Sequence, residues 1–125
     1  MTRLIDLTPL APVTDVPAAT AFFQDVLGFE LVAAFDGFAY LRRDGATIRL
    51  IMARGDMNDA ARQQGYYIDV EDVDALHETL LPALSKLPET HHQPPADTSY
   101  GQREFVVVYE ALMLVFGQPI PKEPS

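Results

Sequence analysis

A six-residue pattern occurs twice in this chain. Val13-Thr14-Asp15-Val16-Pro17-Ala18 and Val70-Glu71-Asp72-Val73-Asp74-Ala75 both read V-x-D-V-x-A, at an offset of 57 residues. Each copy closes an extended apolar run and opens a helical one. A repeat at fixed spacing constrains architecture more strongly than an isolated motif. Here it predicts two copies of one module, each led by a strand and a helix.

The local chemistry of the first copy supports that reading. Thr14 or Asp15 can cap a helix, because either side-chain oxygen can accept an amide of the first turn. Pro17 falls where a missing N–H costs nothing. Val16, Ala19, Phe23, Val26 and Leu27 recur at helical spacing over Asp15–Leu27. Gly28 suits the left-handed residue just beyond the helix end. In the second copy Asp72 caps a helix whose apolar face is Val73, Leu76, Leu80 and Leu84, and Pro82 predicts a kink or a break in it.

Around these helices the strands follow. Leu4–Val13 is apolar but contains Pro9 and Pro12, so it is an edge strand, a broken strand, or one used between subunits. Phe29–Phe35, Phe38–Arg42 and Thr47–Ala53 are extended, separated by the turn signals Asp36-Gly37 and Asp44-Gly45. Arg54–Gln64 is polar and reads as a linker. Tyr66–Val70 opens the second half, and Arg103–Tyr109 and Leu112–Phe116 close it across Glu110-Ala111. Glu89–Tyr100, with Pro94-Pro95 and two histidines, is the longest irregular stretch. The expected fold is α+β, two tandem βαβββ modules, each a curved mixed sheet with a helix on one face. The boundaries are one domain over 1–120, module one at 4–54, a linker at 55–64, module two at 65–118, and a proline-rich tail at 119–125.

Composition removes several function classes. A chain of 125 residues is one domain with room for a core. No apolar run is long enough to span a membrane, and MTRLIDLTPL lacks the apolar segment of a signal peptide, so the expected location is cytoplasmic. With no cysteine there is no thiolate ligand or thiol nucleophile. Nine basic against eighteen acidic residues give a formal charge of −9, which argues against nucleic acid and is compatible with cationic ligands, although solubility alone accounts for it more simply.

Two stretches carry a family resemblance. Ala21-Phe22-Phe23-Gln24-Asp25-Val26-Leu27-Gly28-Phe29-Glu30 resembles the first-helix signature of the glyoxalase/bleomycin resistance/extradiol dioxygenase group, the vicinal oxygen chelate superfamily. Tyr100-Gly101-Gln102-Arg103-Glu104-Phe105, followed by Phe116-Gly117-Gln118-Pro119, resembles the closing stretch of its bleomycin-resistance branch. The resemblance covers about Leu4 to Ile120. One departure is the final turn, where Tyr109-Glu110-Ala111 replaces the longer Asp-Pro-x-Gly-Asn of the family. The resemblance implies paired βαβββ modules and a homodimer whose grooves combine residues of both subunits.

In metal-using members of the superfamily, ligands stand on the first and last strands of each module. The corresponding positions here are near Thr8, Arg49, Gly65 and Val115. None is a carboxylate or an imidazole, and Arg49 would repel a cation. His77 sits among Asp74 and Glu78 on what reads as a solvated helix face, and His91-His92 are neighbours whose side chains diverge. The expectation is no metal and no cofactor.

Aromatic side chains are the remaining asset. Phe38 and Tyr40 share one strand face by the two-residue period, while Tyr66 and Tyr67 point to opposite sides. The resemblance implies that the Phe38, Tyr66 and Tyr100 regions line the groove. With the neighbouring strand residue Arg103, the expected ligand-binding set is Phe38, Tyr40, Tyr66, Tyr100 and Arg103, with no catalytic residue. Phe38 and Tyr100 serve equally as core, and for Tyr66 and Tyr67 core is the favoured place. Three readings stand: a metal-free protein that sequesters a cationic, planar-ring antibiotic-like molecule, its basic tail against acidic rim residues; a lyase- or isomerase-type enzyme of the superfamily using a non-standard site, with Arg49 or Arg103 as an anion handle; or a binding or regulatory module with no toxin role.

Overall fold

The computed structural model describes residues 2–121. The chain divides into two compact units after Met57, and each is a four-stranded sheet with one helix against it.

The first unit runs β1 (Leu10–Val13), α1 (Val16–Asp25), β2 (Glu30–Phe35), β3 (Phe38–Arg43) and β4 (Ala46–Met52). Its strand order is β1-β4-β3-β2, with β1 parallel to β4 and the other pairs antiparallel. The second unit repeats the plan: β5 (Gln64–Asp69), α2 (Val73–Leu84), β6 (Ala96–Asp97), β7 (Gln102–Tyr109) and β8 (Leu112–Pro119), in the order β5-β8-β7-β6. Two βαβββ modules are therefore present.

The repeated hexapeptide is a capping device. Asp15 accepts the Ala18 N–H at 3.0 Å, and Asp72 accepts the Ala75 N–H at 3.1 Å. The valine after each aspartate, Val16 or Val73, is buried as the first core residue of its helix. Thr14 is not the cap. Past α1, Gly28 takes φ +74° and donates to the Gln24 carbonyl, while Arg43 Nη1 donates to the Leu27 carbonyl at 2.6 Å.

Register carries the repeat into the sheets. Leu10 lies opposite Arg49, and Tyr67 lies opposite Val115. The offsets are 67 − 10 = 57 for the first strands and 115 − 49 = 66 for the last ones. The additional residues fall in the long connection between α2 and β7.

Each core fills the space between a sheet and its helix. Ala11, Val13, Ala39, Leu41, Ile48 and Leu50 meet Val16, Ala19 and Phe23 of α1. Phe105, Val107, Leu112, Leu114 and Phe116 meet Val73, Leu80 and Leu84 of α2. The Phe105 and Phe116 rings stack at 4.9 Å. Each buried side chain of this size contributes roughly 1.5–3 kcal/mol.

Several local expectations need correction. Regular strand begins at Leu10, not Leu4, and Leu4, Ile5 and Leu7 are 97, 86 and 88% exposed. Pro82 does not break α2, which runs through it to Leu84, because it falls in the last turn, where little helix remains to interrupt. Met52 is exposed at the end of β4 although it follows the period of Ile48 and Leu50. His77 is not on a solvated face: its ring packs edge-on against Phe105 at 5.1 Å. The irregular stretch 89–100 contains β6 and a bridge from His92 to Val107. Pro119 ends β8 rather than opening a tail, and residues 122–125 of that expected tail lie outside the described residues.

Candidate functional site

Strand pairing fixes which side chains share a face, because residues directly opposite one another point the same way. In the first unit the face away from α1 carries Leu10, Arg49 and Tyr40 across one rung and Pro12, Ile51 and Phe38 across the next. Phe35 extends that second rung, opposite Phe38, and their rings stand 6.1 Å apart. The Arg49 guanidinium lies over the Tyr40 ring, 4.9 Å from its centre. The result is an aromatic stripe of Phe35, Phe38 and Tyr40 edged by a cation. Phe38 and Tyr40 thus stand together, as their spacing implied.

The corresponding face of the second unit, away from α2, carries Gly65, Tyr67 and Asp69 from β5. From β7 come Gln102, Glu104, Val106 and Val108, and from β8 Met113, Val115 and Gly117. Tyr67 lies across Gly117: a Cβ at residue 117 would overlap its hydroxyl. That hydroxyl donates to Gln102 Oε1 at 2.9 Å. Burial first, then the adjoining Glu104 carboxylate, push the Tyr67 phenol up to about 12. Tyr100 joins from the turn before β7, donating its hydroxyl to Glu104 Oε1 at 2.6 Å. That bond leads the causes that raise the Tyr100 phenol above its ordinary value.

Tyr66 and Arg103 stand on the opposite side of the same sheet. Tyr66 pairs with the buried Leu114, its hydroxyl donates to Gln64 Oε1, and burial raises its phenol. Arg103 holds the first turn of α2 to β6. Its Nε and Nη2 bind the Asp74 carboxylate at 3.0–3.2 Å, and its Nη1 binds Asp97 at 3.0 Å. The guanidinium keeps Asp74 below its usual value. Gln118, opposite Arg103 in the ladder, accepts the Val73 N–H at the same helix end. The expected set therefore divides: Phe38, Tyr40 and Tyr100 belong to faces away from the helices, and Tyr66 and Arg103 to the helix side.

Sequence reasoning weighed Tyr67 without choosing it over Tyr66, and passed over Gln102 and Glu104. The available signal was Gly117, since a glycine inside a strand often marks close approach of another group. The four positions weighed as metal slots offer no ligand set. Thr8 Oγ1 lies 3.3 Å from Thr47 Oγ1, Arg49 covers Tyr40, Gly65 pairs with Met113, and Val115 pairs with Tyr67. Among the described residues, no three His, Cys, Asp or Glu side chains are grouped to hold a metal ion. No helix among them is long and apolar enough to cross a membrane.

The sequence profile of the Glyoxalase/Bleomycin resistance protein/Dioxygenase superfamily matches residues 7–110. No curated protein sequence matches significantly. Among solved structures, the bleomycin-binding protein of bleomycin-producing Streptomyces verticillus, complexed with copper(II)-bleomycin, is 27% identical with a TM-score of 0.77, covering 98% of this chain and 100% of that one. A bleomycin resistance determinant encoded on transposon Tn5 is 18% identical with a TM-score of 0.75, covering 93% and 98%. Lactoylglutathione lyase from Agrobacterium tumefaciens is 18% identical with a TM-score of 0.66, covering 94% and 95%. The last two share the fold, which hosts both binders and enzymes.

Proposed function

The chain belongs to the glyoxalase/bleomycin resistance protein/dioxygenase superfamily, and from that premise we propose that it is a cytoplasmic, metal-free protein that sequesters a cationic, planar-ring antibiotic of the bleomycin type in grooves of a homodimer. The observation that carries this reading is the aromatic stripe of Phe35, Phe38 and Tyr40 on one sheet face. Flat rings stack on such side chains, and a mostly apolar surface with few polar handles suits a small molecule. Likeness over the full length of a bleomycin-binding protein supports the same ligand class. The exposed Leu4, Ile5 and Leu7 support a partner subunit, because contiguous exposed apolar side chains favour burial.

A second reading has one observation in its favour. Arg49, on the aromatic face, could hold an anionic substrate, as the enzyme alternative requires. Titration calorimetry decides between them. Bleomycin should bind wild type and weaken as salt rises, since exposed charges are screened over about 8 Å at physiological ionic strength. Tyr100→Ala should cost roughly 1 kcal/mol or more if its ring stacks on the ligand. Absence of binding to any bleomycin-type glycopeptide would remove the sequestration reading.

A further inference from the structure

Glu104 holds in the second unit the place that Phe38 holds in the first, since the last strands repeat at the offset of 66 and 104 − 38 = 66. One module thus presents an aromatic ring at this position, and the other a carboxylate. On the strand positions of the Glu104 face the charged residues are Asp69 and Glu104, both acidic. The stripe in the first unit carries Arg49 instead, with Arg42 one rung beyond and Glu30 opposite it.

The hydrogen bonds around Glu104 are incomplete. Oε1 accepts the Tyr100 hydroxyl, whereas Oε2 is buried and has no hydrogen-bond partner among the described residues. The two neighbouring phenols have one proton each to divide between Gln102 Oε1 and this carboxylate. Tyr67 gives its one proton to Gln102 Oε1, and Tyr100 gives its own to Oε1. A buried carboxylate oxygen without a protein donor is costly, and a cationic N–H donor offsets that cost best. Access depends on Tyr100. Tyr100 is 66% exposed, so its phenol has room to swing off the carboxylate oxygen it holds.

We propose that Glu104 is the receptor for the cationic group of the ligand, an ammonium, amidinium or guanidinium, with the rings of Tyr67 and Tyr100 as its walls. This rests on the sequestration reading and assigns the cation to the second unit. The cation takes both carboxylate oxygens and displaces the Tyr100 hydroxyl, and the phenol faces then offer it cation–π contact.

The experiment compares two probes on two proteins: bleomycin and the same glycopeptide with its cationic tail hydrolysed to the acid, titrated into wild type and Glu104→Gln. Wild type should prefer the cationic form at least tenfold, and Glu104→Gln should bring that ratio close to one. The ratio is internal to each protein, so a partly unfolded variant does not distort it. A second readout needs no variant: ring proton resonances of Tyr67 and Tyr100 should shift with the cationic form and move much less with the acid. An unchanged ratio in Glu104→Gln, or tyrosine signals unmoved by a bound cationic probe, overturns the assignment while sequestration stands. Failure of wild type to bind either probe removes sequestration itself.

Discussion

Residue 117 must be glycine for Tyr67 to lie where it does. The phenol occupies the space that a Cβ would fill, and the same Cβ would crowd Glu104 Cγ at 3.2 Å. Gly117→Ala should therefore lift the ring off β8 and break its bond to Gln102. Overpacking of this kind costs roughly 1–3 kcal/mol, measurable by urea unfolding, and unchanged stability would contradict this placement of Tyr67. The same residue explains why the face of each tyrosine was hard to read. Tyr66 and Tyr67 had to diverge, but choosing between them requires contrast on the paired strand. Leu112, Leu114 and Phe116 alternate with Met113, Val115 and Gly117, so both faces of β8 are largely apolar. Arg103 was obscured in the same way, because Phe105 and Val107 alternate with Val106 and Val108.

At the scale of elements, the helices were legible because capping and periodicity agreed, and the hairpin of β7 and β8 was legible because two apolar runs flank two residues. Its register is Tyr109 opposite Leu112, which places Glu110 at φ +50°. Asp44 occupies the equivalent place at φ +51°. A left-handed backbone costs most L residues about 1–2 kcal/mol, and aspartate less. Glu110→Gly should raise the unfolding midpoint, and Asp44→Gly should raise it less. Equal effects, or a loss at Glu110, would argue against the strain. Strand β6 was not legible, since two residues after Pro94-Pro95 carry no periodic signal. Helix α2 also carries a pH dependence. Burial against Phe105, and then the charge of His92, lower the His77 pKa, while Asp74 opposes them. Unfolding restores the ordinary value, so the unfolded chain binds the proton more readily, and stability must fall as pH drops through about 6.5. Between pH 7.5 and 5, wild type should lose more stability than His77→Gln. Parallel losses would place the titration elsewhere.

For the whole molecule, composition was informative mainly by exclusion. A formal charge of −9 per chain becomes 2 × −9 = −18 in a homodimer, which attracts cations over distance but names no ligand. The proposed recognition depends instead on where single residues stand, such as the aromatic side chains of the Phe38 stripe. Native mass spectrometry of chelator-treated protein with bleomycin tests that account most directly. The prediction is a dimer of 2 × 13.9 = 27.8 kDa that takes up two bleomycin molecules and no protein-bound metal. A monomer, or a dimer that acquires bleomycin only after a divalent ion is restored to the protein, would contradict it.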